Sequence, residues 1–181
     1  MSIFKKVIAG VCCLCPAFSM VGCGGGGNDG GSSAPADGKL TDYGCITASQ
    51  ANPIDRIQKI IIELDKILSN NIDISKVYAE EVRPEGTGYG VGNLHTHRLL
   101  MYAQAAVAFL LHNKYPTATF DFIYPSSWRS ACGIKNGRGI KRDTAKAADI
   151  KFVQETFGLT VNDDIADAIG LGYSQISNNA W

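Results

Sequence analysis

The chain has 181 residues, 45% hydrophobic and 19% charged, with Lys+Arg and Asp+Glu equal at 17 each. This is the balance of a globular protein, one domain plus an appendage, and it excludes a disordered chain or one that attracts polyanions by net charge alone. Charge is uneven along the chain: residues 129–151 hold Arg129, Lys135, Arg138, Lys141, Arg142, Lys146 and Lys151 against only Asp143 and Asp149.

Four of the six cysteines (Cys12, Cys13, Cys15, Cys23) fall in the first 23 residues, and Cys45 and Cys132 stand alone. That spacing matches neither a disulfide framework nor a paired zinc motif, so Cys45 and Cys132 read as small packing residues.

The N-terminus has two readings. Lys5 and Lys6 precede an apolar run from Val7 to Val21 that ends at Gly22-Cys23. A charged start, a short apolar stretch and small residues before a cysteine describe a secretory signal. It resembles a bacterial lipobox, with Met20 as a departure, in which Cys23 is acylated and the protein is anchored to a membrane. The run is short and broken by Pro16, so it does not read as a spanning helix. Alternatively, Val7–Val11 is a buried strand and Phe18–Val21 a second strand of a hairpin; the protein then stays cytoplasmic. The readings exclude each other, because cleavage before Cys23 removes the hairpin. Three segments follow: 1–23, signal-like or a degenerate first hairpin; 24–37, a Gly/Ser-rich linker; and 38–181, the body.

In the body, 39–47 alternates like an exposed strand. Pro53 opens a helix to about Ser69, with Ile54, Ile57, Ile61, Leu64 and Leu68 as its apolar stripe. Val77–Val82 reads as a strand ending in acids. A loop with Gly86, Gly88, Gly90 and Gly92 leads to a long apolar helix, about 94–113. Phe120–Tyr124 is a strand, Pro125–Arg129 a short helix or turn, and 133–139 a basic loop. Helices follow at about 143–157 and 162–177. Alternating strands and helices imply α/β with a mixed sheet.

The carboxylates carry the chemistry. In Asp163-Asp164-Ile165-Ala166-Asp167-Ala168-Ile169, Asp164 and Asp167 share a helix face while Ile165, Ala168 and Ile169 turn inward. The plainer alternative makes Asp163 and Asp164 a cap and a dipole partner; it explains Asp167 less well, since like charges one turn apart repel. Glu80 and Glu81 point to opposite faces of their strand, so one of them joins any cluster. Hard oxygen donors gathered this way suit Mg²⁺, and paired ions roughly 4 Å apart suit phosphodiester hydrolysis. The glycine-rich loop is no P-loop, because no Gly-Lys-Ser/Thr closes it. His95, His97 and His112 read as packing or surface residues, since the first two do not share a helical face.

Taken in order, Ala79-Glu80-Glu81-Val82, His97-Arg98-Leu99, Pro125-Ser126-Ser127-Trp128-Arg129, the Gly-Arg-Gly-Ile-Lys loop at 137–141 and the 164–169 segment resemble RuvC-type Holliday-junction resolvases, most of all their phage-like branch. The resemblance runs from about Gly38 to Ser177. It implies a ribonuclease H-like mixed five-stranded sheet flanked by helices, a homodimer, and Mg²⁺-dependent (or Mn²⁺-dependent) cleavage of branched DNA. Glu80, Asp164 and Asp167 take three of the family's four carboxylate positions, as metal ligands and catalytic residues. Lys146, and less closely Lys141, match a basic residue near the scissile phosphate. Arg129, Arg138, Lys141 and Arg142 are then phosphate contacts, and Tyr89 an aromatic that stacks on unpaired bases.

The fourth carboxylate has no counterpart: no Asp or Glu precedes Asp29, and the first strand is degenerate or missing. In the hairpin reading, Cys12 stands near the place of the absent acid, and a thiol is a poor Mg²⁺ ligand. Losing a central strand leaves two rows of unmatched backbone groups, each costing roughly 1–3 kcal/mol if buried, against a net stability of about 5–15 kcal/mol. That favours the hairpin on physical grounds. Three functions follow: a junction nuclease with weakened or lost cleavage, a non-catalytic junction-binding protein of the same fold, or an exported lipoprotein.

Overall fold

The computed structural model describes residues 5–9, 17–23, 38–69, 74–82, 91–137 and 139–177. Five strands form one sheet in the order β3-β2-β1-β4-β5. They are β1 (Lys5–Ala9), β2 (Ala17–Cys23), β3 (Gly38–Cys45), β4 (Ile74–Glu80) and β5 (Thr119–Ile123). β1, β2 and β3 pair antiparallel in sequence, whereas β1–β4 and β4–β5 are parallel. A parallel pair needs a crossover. α1 (Pro53–Ser69) lies on the connection leading into β4, and α2 (Val91–Lys114) supplies the crossover from β4 to β5. The sheet is mixed and five-stranded, as expected, and its first strand is short: Lys-Lys-Val-Ile-Ala, with no carboxylate. It is paired on both sides and starts two residues earlier than the Val7–Val11 expected; Cys12 lies outside the described residues.

One irregularity decides which way β4 points its side chains. Lys6 pairs with Ile74 and Val7 with Lys76, so Ser75 is an extra residue on the β4 side. A bulge of this kind resets the two-residue alternation. Ile74 and Val77 therefore both turn to one face, where they join Ile60, Leu64 and Leu68 of α1 and Val107 and Leu111 of α2 in the larger core. Tyr78 turns to the other face, with Trp128, Ile134 and Leu171. Glu80, two residues on, shares the side of Tyr78.

That second face is covered by α3 (Pro125–Ala131), α4 (Arg142–Phe157) and α5 (Asp163–Ser177). α5 packs across β1 to β4 and against α3 and α4. Its Ala166 and Ile169 bury with Val153 of α4, and Leu40 of β3 packs at the edge of this group. α4 stops at Gly158, whose left-handed φ of 69° closes the helix through its N–H to the Gln154 carbonyl. On the first face Lys114 donates to Asp65 Oδ1 at 2.6 Å, and the Tyr115 hydroxyl donates to the Leu68 carbonyl at 2.9 Å, tying the end of α2 to α1.

The expected stripe on α1 is turned slightly. Ile60, Leu64 and Leu68 are the buried positions, while Ile54 is exposed. The buried positions lie on the later turns of α1, where they join Ile74 and Val77 of β4 and Val107 and Leu111 of α2. Among the described residues, no helix is long and apolar enough to cross a membrane.

Candidate functional site: a carboxylate cluster between β4, α3, α4 and α5

β4 ends at Glu80 on the α3/α5 side. Gln104 of α2 fixes this strand end by donating to the Glu80 carbonyl at 2.7 Å, and Glu81 continues the ladder with its N–H on the Ile123 carbonyl at 2.9 Å. Of the two neighbouring acids, Glu80 is the one turned to the cluster: Trp128 Nε1–H donates to its Oε2 at 3.1 Å. Trp128 is fully buried, and a buried indole N–H needs an acceptor. The same contact therefore satisfies the tryptophan and aims the glutamate.

α5 opens with Asn162, whose Oδ1 accepts the Ile165 N–H at 2.9 Å. The cap is thus Asn162 instead of Asp163 or Asp164. Asp163 forms an ion pair with Lys146 of α4, and Asp164 is half-buried on the same turn. Asp167, one turn further in, is buried at 7% exposure.

The residue that organises Asp167 is Arg129. Its guanidinium grips Asp149 of α4 through three hydrogen bonds, from Nε at 3.1 and 3.0 Å and from a terminal nitrogen at 2.8 Å. The same terminal nitrogen reaches Asp167 Oδ1 at 3.4 Å. Its carbon lies 4.6 Å from the centre of the Trp128 ring, within cation–π range. Asp149 is fully buried, a position a carboxylate holds only when paired.

The guanidinium is thus bonded to two acids, Asp149 and Asp167, and feels the charge of a third, Glu80. Burial comes first in pushing the Asp167 carboxyl up to about 8, followed by its hydrogen bond with Asp149 and the charges of Glu80 and Asp149; Arg129 acts in the opposite sense. Burial pulls the Arg129 guanidinium down, but Asp149, Asp167 and Glu80 together push it above its ordinary value.

The sequence-predicted residues divide accordingly. Glu80 and Asp167 come together, with Asp164 on the adjoining turn. Arg129, expected as an outward phosphate contact, is drawn inward by two buried carboxylates, its side chain 16% exposed. Lys146 faces Asp163, while Lys141 and Arg142 are exposed at the start of α4. Tyr89 and Arg138 lie outside the described residues. Cys132 donates to the Gly170 carbonyl at 3.3 Å, and burial, helped by the charge of Asp149, pushes its thiol up to about 12. That suits a packing residue. Sequence reasoning missed Asp149. Its signal was an acid four residues before Val153 on the face that α4 buries, which demands a cation nearby.

Among the described residues, no three His, Cys, Asp or Glu side chains form a ready-made metal site. The charge balance nevertheless fits a hard cation. The acids outnumber the one base, and burial with the neighbouring carboxylates raises the Asp167 carboxyl to about 8, an excess of negative charge that a cation would relieve. Glu80 and Asp167, with Asp164 beside them, are oxygen donors of the kind Mg²⁺ takes.

No protein-family model and no curated protein matches the sequence. Solved structures do. Thermus thermophilus RuvC matches with a TM-score of 0.66 at 14% identity, over 97% of this chain and 96% of that one. The chain has the RuvC-like resolvase fold. The T. thermophilus RuvC complex with Holliday junction substrate matches with a TM-score of 0.62 at 14% identity, covering 97% and 95% of the two chains. The yeast mitochondrial Holliday junction resolvase matches at 0.51 and 12% identity, over 97% of this chain and 80% of that one. In this RuvC-like fold, which is ribonuclease H-like, the cluster lies where β4 ends beneath the first turns of the last helix.

Proposed function

We propose that the chain is a structure-selective DNA endonuclease that acts on four-way junctions by metal-dependent phosphodiester hydrolysis. The observation that carries this reading is the meeting of Glu80 and Asp167 on one face of a RuvC-like sheet, each held by one of two consecutive residues of α3. The neighbour captured with Holliday junction substrate supports the choice of DNA. Glu80, Asp164 and Asp167 would hold Mg²⁺ or Mn²⁺, which supplies Lewis-acid stabilisation of charge on the phosphate. Trp128 keeps Glu80 oriented and Arg129 keeps Asp167 oriented, so the acids meet a substrate without rearranging. Burial beneath α3 and α5 keeps water away from the inner side of the cluster. Exposed Lys135, Lys141 and Arg142, with Arg138 and Tyr89, are assigned to the DNA backbone and to unpaired bases; Lys146 stands one salt bridge away from the same surface.

A two-fold dimer suits a junction that needs two symmetric cuts. α2 offers a face for a second copy: Leu94, Met101, Tyr102 and Phe109 fall within one side of the helix and are exposed, Phe109 by 72%. With β1 and β2 in the sheet, the same reading leaves Cys23 unacylated and the protein cytoplasmic.

The test is Mg²⁺-dependent cleavage of a synthetic four-way junction beside a linear duplex of the same sequence. Glu80→Gln, Asp164→Asn and Asp167→Asn should each abolish cutting and spare salt-sensitive binding. Equal binding of junction and duplex would sink the reading. A second reading, a junction-binding protein that does not cut, is favoured by the absence of a carboxylate from Lys5–Ala9. It predicts no cleavage by the native chain, and a gain of cleavage in Cys12→Asp would identify the missing acid as the cause.

A further inference from the structure

The metal reading leaves open how many ions the cluster admits, and Arg129 bears on that number. Asp149 is fully buried and both its oxygens accept from Arg129. Burial therefore closes it to an outside ligand, and it acts as the counter-ion that fixes the guanidinium. The guanidinium in turn lies against Asp167 at 3.4 Å and under the Trp128 ring. It cannot leave without stranding two buried carboxylates.

We propose that Arg129 is a resident cation of this cluster, fixed by Asp149, and that the cluster consequently takes one divalent ion where paired-ion phosphodiester chemistry uses two. Two observations support the count. Among the described residues, the donors left to the cluster after Asp149 is committed are Glu80, Asp164 and Asp167, and β1 adds none within Lys5–Ala9. A second ion on the inner side of Asp167 would face a permanent positive charge already bonded there, with little water between to screen it. Arg129 is thus a positioning residue, acting through Asp167, and its charge fills the place of one ion.

This rests on the metal reading above, and the test separates the two. Mn²⁺ alone is titrated into the full chain near neutral pH, and bound ions are counted by electron paramagnetic resonance of the free ion. One Mn²⁺ per native chain is the result expected, lost in a Glu80→Gln/Asp167→Asn double variant. Arg129→Gln should admit a second Mn²⁺ or bind the first at least about tenfold more tightly, whereas Arg129→Lys, which keeps the charge, should stay at one. Two ions on the native chain would overturn the proposal and leave the metal reading standing. An unchanged count and affinity in folded Arg129→Gln would overturn it too. No binding by the native chain would remove the metal reading and this inference together. The native count requires no variant, so a failure of Arg129→Gln to fold does not shield the idea.

Discussion

Trp128 and Gly170 touch so closely that a Cβ placed on Gly170 would stand 2.7 Å from Cζ3 of the indole ring. Real Cβ atoms do not approach so near, and the ring is locked in the core by complete burial and by its bond to Glu80. Glycine inside α5 is unfavourable on propensity, so Gly170→Ala would gain about 1 kcal/mol if space allowed. Overpacking costs about 1–3 kcal/mol and should win. Urea unfolding should therefore show net destabilisation. In a Trp181→Phe background, the emission of Trp128 should shift as its ring moves. An alanine variant as stable as the native chain would mean that the ring and helix are looser than this contact implies.

The Arg129–Asp149 pair predicts strong coupling. Removing one partner leaves an uncompensated buried charge, at a cost of about 3–5 kcal/mol. Arg129→Met and Asp149→Leu should each destabilise by roughly that much, and the double variant by clearly less than their sum. Additive losses in a double-mutant cycle would show that the two side chains do not depend on each other.

Asp167 predicts a pH dependence for the metal-free protein. Its folded-state carboxyl lies at about 8, against an ordinary value of about 3.9 when unfolded. Between these values the folded state binds the extra proton, so this group's contribution is fully present below about pH 4 and is lost as pH rises through about 8. The groups facing it are Asp149, Glu80 and Arg129. With a chelator present, melting temperature should fall over this window more steeply for the native chain than for Asp167→Asn. Parallel curves for the two proteins would contradict the assignment.

Deleting residues 1–23 removes β1 and β2, leaving β4 unpaired on one side and β3 detached. Each buried backbone group so exposed costs roughly 1–3 kcal/mol, which a net stability of about 5–15 kcal/mol cannot absorb. The truncated chain should show no cooperative transition in urea by circular dichroism. A sharp transition would mean that the body stands without its central strand.

Much of this was legible in the sequence because it depends on local pattern. The α/β alternation, the bounds of α1, α4 and α5 to within a residue or so, and the rule that only one of Glu80 and Glu81 can join a cluster all follow from periodicity and parity. What escaped detection depends on tertiary partners. Arg129 reads as one more base in a basic stretch until Asp149 is seen buried against it, and Asp149 reads as one of two stray acids there. The bulge at Ser75, which sets the face of Glu80, leaves no mark in composition. Ile54 fits the stripe of α1 by spacing alone yet is exposed, because spacing does not say along which turns a helix meets its partners. The apolar stretch before Cys23 is ambiguous for a general reason: a buried central strand and the core of an export signal are both short runs of aliphatic residues.

The strand order has a consequence for the chain as it is being made. β1 is synthesised well before its parallel neighbour β4, which follows only after α1, and α5, which packs on both, is made later still. Pairings this distant in sequence slow folding and leave apolar strands uncovered while synthesis continues. β1 must therefore wait, half-paired, until β4 and α5 have been made. Slowing elongation late in the message should lower soluble yield more than slowing it early, a vulnerability set by where the middle of the sheet is encoded.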